Sequence, residues 1–225
     1  MKIKLLKSIF ILLILVTSCS TEKTDVNQEN KIKDEIIKTS SNSEAFIEVN
    51  FLEGSIARYL VREQLANLDF PIDAIGETNQ ISGSILINTD GEVITNKSNI
   101  VVNVASLKSD SGRRDKYISR KSLESNTYPE ALINIKKINN LPWPIPKNDS
   151  AEIEIIGDMT AHGVTQQITW KTKINFFEDN AEGLAKTNFK FEKFDMDIPR
   201  VAIVLSVDDN IRLELDFKAE IKYLE

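Results

Sequence analysis

His162 and Cys19 are the only histidine and the only cysteine in 225 residues. These two residue types supply much of the nucleophilic and metal-ligating chemistry open to a protein near neutral pH. With one of each, a structural zinc site, an iron–sulfur cluster and an intramolecular disulfide all lack ligands. No metal and no cofactor is expected. A Cys–His nucleophilic pair stays open by count alone. Paired carboxylates, as a glycosidase would need, are easy to find by accident among 34 acidic residues, and no spacing singles out two. The balance of 28 basic against 34 acidic residues gives −6, which argues against nucleic acid as a partner.

The setting of Cys19 says more. Lys2, Lys4 and Lys7 precede an apolar run over residues 9–16, which is too short for the roughly 20 residues of a bilayer span. The run ends in Val16-Thr17-Ser18-Cys19, which resembles the lipobox of bacterial lipoproteins. The other reading is an ordinary secretory signal whose boundary carries a Cys. The resemblance implies a signal peptide at 1–18, a diacylglycerol thioether on Cys19 and an acylated amine, hence a membrane anchor held by several chains. Ser20, where an Asp would retain some lipoproteins at the inner membrane, favours the outer membrane. The expected location is the bacterial cell envelope, on the periplasmic or surface face. Three lysines leave with the signal, taking the charge from −6 to −9, a balance that disfavours anionic headgroups. Residues 19–43 are polar and read as a flexible tether, with Ile32, Ile36 and Ile37 allowing one short helix near 31–38. A lipidated Cys19 on a tether also removes the Cys–His pair.

From residue 44 to 225 the apolar period is two, which marks one all-β domain. Ile81, Gly83, Ile85 and Ile87 alternate with polar neighbours, and Asp90-Gly91 supplies a hairpin turn. Ile168, Trp170, Thr172, Ile174 and Phe176 share one parity, and Ala185, Thr187, Phe189 and Phe191 another. The last strand alternates from Ile211 to Tyr223, so one face is wet and the other buried. About eight antiparallel strands imply a closed barrel or a sandwich. Residues 110–125 break the pattern; Asp110 or Ser111 would cap a helix that turns Tyr117 and Ile118 inward and leaves a basic outer face. His162-Gly163 reads as a tight turn. Pro142-Trp143-Pro144-Ile145-Pro146 reads as a rigid rim loop, with Trp143 either covering an opening or packing on the barrel end.

Several of these segments together resemble a known family. Gly157-Asp158-Met159-Thr160-Ala161-His162-Gly163-Val164-Thr165 resembles the G-x-L-T-x-H-G-V-T signature of the YceI-like family. Arg113-Arg114-Asp115 followed by Tyr128-Pro129 resembles that family's R-D helix and its Y-P strand start, and Ile81-Ser82-Gly83-Ser84-Ile85 fits a strand motif. The match runs from about Ser55 to Leu224. It implies an eight-stranded antiparallel, lipocalin-like barrel with one short helix, and a long isoprenoid-like lipid as partner in an apolar interior. Two departures weaken the transfer of ligand detail: the first strand, Ile56 to Glu63, lacks the family's histidine, and Glu192-Lys193-Phe194-Asp195-Met196 replaces a late R-s-d-F-G segment.

An eight-stranded barrel holds either side chains alone or one slim ligand. Under the family reading, the lipid would be lined by Ile85, Ile87, Val102, Val104, Ile133, Ile135, Ile153, Ile155, Trp170, Ile174, Phe189, Phe191, Leu213, Leu215 and Phe217. Each of these, taken singly, is more often plain core. Arg113 and Arg114 are the headgroup candidates, with a structural salt bridge to Asp110 or Asp115 as the other reading. His162 is expected to fix its turn rather than act as a base. Binding is therefore expected over catalysis. The alternative is a filled barrel whose rim, around Trp143, contacts another envelope protein. Pairing of two barrels through an exposed sheet face, giving a homodimer, is also allowed.

Overall fold

The computed structural model describes residues 45–224; the signal peptide, Cys19 and the 19–43 tether lie outside the described residues. Within them the fold is an antiparallel barrel of eight walls, three of which are broken into two strands each. The first wall is β1 (Ala45–Phe51) plus β2 (Ile56–Leu65). The second is β3 (Ile72–Thr78) plus β4 (Ile81–Asn88), and the third β5 (Asn99–Asn103) plus the short β6 (Lys108–Ser109). Five unbroken strands follow: β7 (Glu130–Asn139), β8 (Asp149–Ala161), β9 (Val164–Phe176), β10 (Asn180–Phe189) and β11 (Val204–Tyr223).

β11 closes the ring. One of its edges pairs with β10. Its other edge pairs first with β2, from Val204 to Asp216, and then with β1, from Ala219 to Tyr223. Ser55 stitches the step between the two: its Oγ accepts from Lys218 N at 3.0 Å and donates to Leu52 O at 2.9 Å. The next two walls bend at the same level. Thr78 Oγ1 accepts from Gln80 N at 3.0 Å and meets Ser106 Oγ at 2.5 Å, while Asn103 N donates to Gln80 O at 2.9 Å. The third corner is a 3-10 turn, Val104–Ser106, capped by the Asn103 side chain. Three adjacent corners, pinned by hydroxyls, thus split the barrel into two halves.

The half holding β1 and β4 is filled. Ile47, Ile87, Ile135 and Phe176 are at most 2% exposed and pack together there with Ile85, Ile153, Ile174 and Phe217. The proline-rich loop caps this end. Ile145 is buried, and Trp143 donates from Nε1 to Thr89 O at 3.1 Å, with its ring edge-on to Phe46. The Asp90-Gly91 turn lies under that indole, and Asn88 Oδ1 accepts from the amides of Asp90 and Glu92. Trp143 therefore packs on the barrel end rather than covering an opening.

The expected helix forms as α1 (Gly112–Tyr117), with Ser111 as its cap, and runs on into a π turn, Ile118–Ser122. β8 and β9 pair along 13 residues each, from Asp149↔Phe176 to Ala161↔Val164. Their turn is His162-Gly163 with φ of 50° and 74°, positive at both central positions as a two-residue hairpin of primed type requires. A Cβ on Gly163 would also meet the Tyr128 ring at 2.8 Å, so glycine is required there twice over.

Candidate functional site

The other half of the barrel is hollow. A cavity of about 580 Å³ opens between α1, the 66–71 connection and the 195–203 segment, and exposed Asn67 and Arg113 stand at its mouth. No residue of β1 or β4 borders it; the wall on that side comes from β2 and β3, beyond the corners. Small side chains leave the room: Ala57, Ala74, Ala131 and Ala161 all face the space. The volume lies within the roughly 300–1,000 Å³ of small-molecule sites.

Eight of the fifteen residues expected to line a ligand border this cavity: Val102, Val104, Ile133, Trp170, Phe189, Phe191, Leu213 and Leu215. The other seven, Ile85, Ile87, Ile135, Ile153, Ile155, Ile174 and Phe217, do not border it; they are buried among side chains of the core. The reason is positional. Thirteen of the fifteen lie on strands and share the inward parity of the pleat, with Val104 and Phe191 in 3-10 turns, but parity says nothing of height along the axis. Tyr117 and Ile118 face it as expected, and the structure adds residues not singled out in the sequence, among them Tyr59, Val61, Glu63, Met159 and Met196. Tyr59, Val61 and Glu63 alternate with Ala57 and Leu65 along β2, so a period-two reading of that strand would have found them.

Apart from Arg58, whose guanidinium pairs with exposed Glu77 and Asp216, charge borders the cavity only at the mouth. Arg114 Nη2 donates to Glu63 Oε1 at 2.7 Å, and Nη1 reaches Asp110. Both Arg114 and Glu63 are largely buried, with side chains 16% and 10% exposed. Burial works against the Arg114 charge, but the hydrogen bonds to Glu63 and Asp110 outweigh it and hold its pKa above the ordinary arginine value. Asp115 does not pair with Arg114; its Oδ1 accepts from Ser109 N at 3.0 Å and Ser109 Oγ at 2.6 Å. Arg113 also borders the cavity and has no carboxylate within 4.0 Å among the described residues. Of the two headgroup candidates, Arg114 is thus committed to two carboxylates and Arg113 is free.

Tyr59 lies flat against Gly76, so close that a Cβ there would strike the ring. Its hydroxyl sits beside Ser109, whose own proton is committed to Asp115, and finds no partner. Burial is the main force pushing the Tyr59 phenol up to about 12.

His162 stands outside the cavity. Its Nδ1 donates to Phe194 O at 2.9 Å, its Nε2 is 3.8 Å from Glu124 Oε2, and the Tyr128 ring meets it edge-on at 5.4 Å. Those contacts lock the β8–β9 turn to the 3-10 turn Phe191–Phe194 and bring no hydroxyl or thiol nucleophile to the imidazole. Among the described residues no three His, Cys, Asp or Glu side chains converge as a metal site.

Two sequence motifs meet at that turn, since Tyr128 of Tyr128-Pro129 packs on His162-Gly163. Residues 59–219 match the family model of the YceI-like domain. The chain belongs to the YceI-like family. A UPF0312 protein of Vibrio parahaemolyticus is 26% identical over 160 residues, covering 66% of this chain and 80% of that one. Protein YceI of Shigella flexneri is 29% identical over 97 residues, 43% of this chain and 47% of its own. Among solved structures, a polyisoprenoid binding domain from Saccharophagus degradans superposes with a TM-score of 0.59 at 10% identity, covering 80% of this chain and all of that one. A YceI protein of Campylobacter jejuni gives 0.53 at 16% identity over 70% of this chain and 90% of its own. At these identities the structural likeness concerns the fold, an eight-stranded YceI-like barrel with one short helix.

Two outcomes follow from the mouth. Arg114→Ala leaves Glu63 buried without a cation and should cost about 3 kcal/mol in urea denaturation, whereas Arg114→Met with Glu63→Leu should recover most of it. A single variant as stable as the parent would remove the ion pair from the stability account. Tyr59 is neutral in the folded state at pH values where the unfolded phenol, near pH 10, already ionises. Stability is then fully present below pH 10 and drains away up to about pH 12, by roughly 3 kcal/mol. Tyr59→Phe should lose nothing at pH 7 and flatten this alkaline decline; equal pH curves for both proteins would refute it.

Proposed function

We propose that the hollow half of the barrel binds a long, apolar, isoprenoid-like lipid, for carriage, storage or sensing in the bacterial cell envelope. The observation that carries this reading is the cavity itself: open at one end, apolar along its walls, and, Arg58 apart, charged only at its rim. A five-carbon unit moved from water into such a lining gains roughly 4 kcal/mol before binding losses, so several units suffice without a deep polar anchor. The polyisoprenoid binding described for the Saccharophagus degradans domain supports the same ligand class. Arg113 is placed to meet a headgroup. A purely filled barrel acting through its rim is less favoured, because half the interior is empty and Trp143 is spent on packing.

The protein acts by binding rather than catalysis in this reading, because its one histidine is bound to a backbone carbonyl. Anchoring comes from lipidated Cys19, with residues 19–43 as tether and the outer membrane as the favoured site. The sequence Val16-Thr17-Ser18-Cys19 supports that part of the proposal.

Mass spectrometry of lipid extracted from the purified protein should recover a long-chain apolar lipid from the parent. Ala131→Phe, which puts a ring into the cavity, should reduce the yield at least about tenfold while keeping a cooperative thermal melt. A parent that yields no lipid sinks the ligand reading. Separately, Cys19→Ala should move the protein from the membrane pellet to the soluble fraction; a variant that still pellets sinks the anchor.

A further inference from the structure

The rim of the cavity is unusual on both of its sides. On one side the 66–71 connection and the 195–205 segment expose Leu68, Phe70, Ile198, Val201, Ile203 and Leu205, with Phe70 at 77% and Leu205 at 67%. The two segments touch, since Ala66 N donates to Ile203 O at 3.0 Å. Exposed apolar residues scattered singly need no explanation, but a contiguous set around one opening does. On the other side stand α1 and its π turn. Arg113, Lys116, Arg120 and Lys121 are exposed there, and none has a carboxylate within 4.0 Å among the described residues. Asp69, Asp195, Asp197 and Asp208 lie among the apolar segments with Arg200, while on the helical side Asp110 is taken by Arg114, Asp115 by Ser109, and Glu124 faces His162, so the unpaired cations belong to the helical side.

We propose that this mouth docks on an anionic lipid bilayer. The 68–70 and 198–205 segments enter the headgroup layer, and the α1 side rests on lipid phosphates. The charge decides the occupant: an apolar rim alone would suit a second copy as well, but unpaired cations beside it complement a surface of phosphates. The inference rests on the reading that the cavity takes a lipid, because such a ligand is insoluble and must pass between bilayer and barrel without crossing water. The chain enters β1 at the filled end, opposite this mouth. The 25 residues between Cys19 and Ala45 span up to roughly 85 Å, long enough for a tethered barrel to turn its mouth to the membrane.

The test uses the full chain carrying Cys19→Ala in every arm, floated with vesicles of phosphatidylcholine with or without phosphatidylglycerol. The parent should float with the anionic vesicles and much less with the neutral ones. Phe70→Ser with Leu205→Ser should weaken flotation at least about tenfold. Lys116→Glu, Arg120→Glu and Lys121→Glu together should abolish the preference for phosphatidylglycerol, a loss of roughly a hundredfold. None of these five side chains borders the cavity, so lipid recovered from the same preparations should be unchanged. Variants that float like the parent, or a parent indifferent to phosphatidylglycerol, overturn the proposal. So does a concentration-dependent dimer that the Phe70 and Leu205 changes dissolve, which would make a second copy the occupant. Lipid recovered without vesicle binding defeats the docking alone; vesicle binding without recovered lipid defeats the ligand reading alone.

Discussion

The step in β11 from β2 to β1, held by the Ser55 hydroxyl, is the constraint on which the rest depends. A β-strand edge can serve one neighbour at a time. For the 20-residue β11 to close the ring along its whole length, the first wall must break and restart, and its break must leave no backbone group orphaned. Ser55 is 2% exposed and satisfies that corner from within. Its neighbours follow suit, because antiparallel register carries the bend across: Thr78 and Ser106 meet at the next two corners. The bend is thereby a property of three walls rather than one.

That shared bend explains why one barrel is both filled and hollow. Below it, β1 and β4 bring isoleucines from facing walls together, and Ile47, Ile87 and Ile135 leave no room. Above it, β2 and β3 present alanines and one aromatic ring, and the cavity occupies the difference. The helix and π turn can then cross the mouth without plugging it. Arg114 is the strut: it draws α1 toward β2 through Glu63 and is held in turn by Asp110. A buried pair of this kind is costly to desolvate, so its presence argues for positioning the helix rather than for raw stability.

Much of this was legible in the residues. The alternation in β8, β9 and β11 is long enough to report the barrel and its inward parity, and Ser111 reports the helix start. The Gly163 turn is legible for the reason it exists, since both central residues need positive φ. The division of the interior was not. Ile87 and Val102 carry the same pattern and the same chemistry, yet one packs solid core and the other faces open space. Height along a barrel axis depends on shear and on where walls break, and a break made by Ser55 or Gln80 looks in sequence like any polar turn. The Arg114–Glu63 pair spans 51 positions, and no local spacing hints at it.

Net charge is the other quantity that the sequence averages away. The chain carries −6, and removing a signal peptide makes it −9, which reads as repulsion from an anionic surface. A charged surface, however, is felt over about one Debye length, near 8–10 Å in physiological salt. What matters is the face presented, not the sum. Much of the acid here is spent in ion pairs along the walls, such as Glu182 with Lys218 and Glu214 with Lys186, far from the mouth in register. Arg113, Lys116, Arg120 and Lys121 are left without such partners at the one end that is also apolar. A negatively charged barrel can thus carry a greasy mouth with one cationic side, and the two properties do not conflict once the walls and the two sides of the mouth are counted apart.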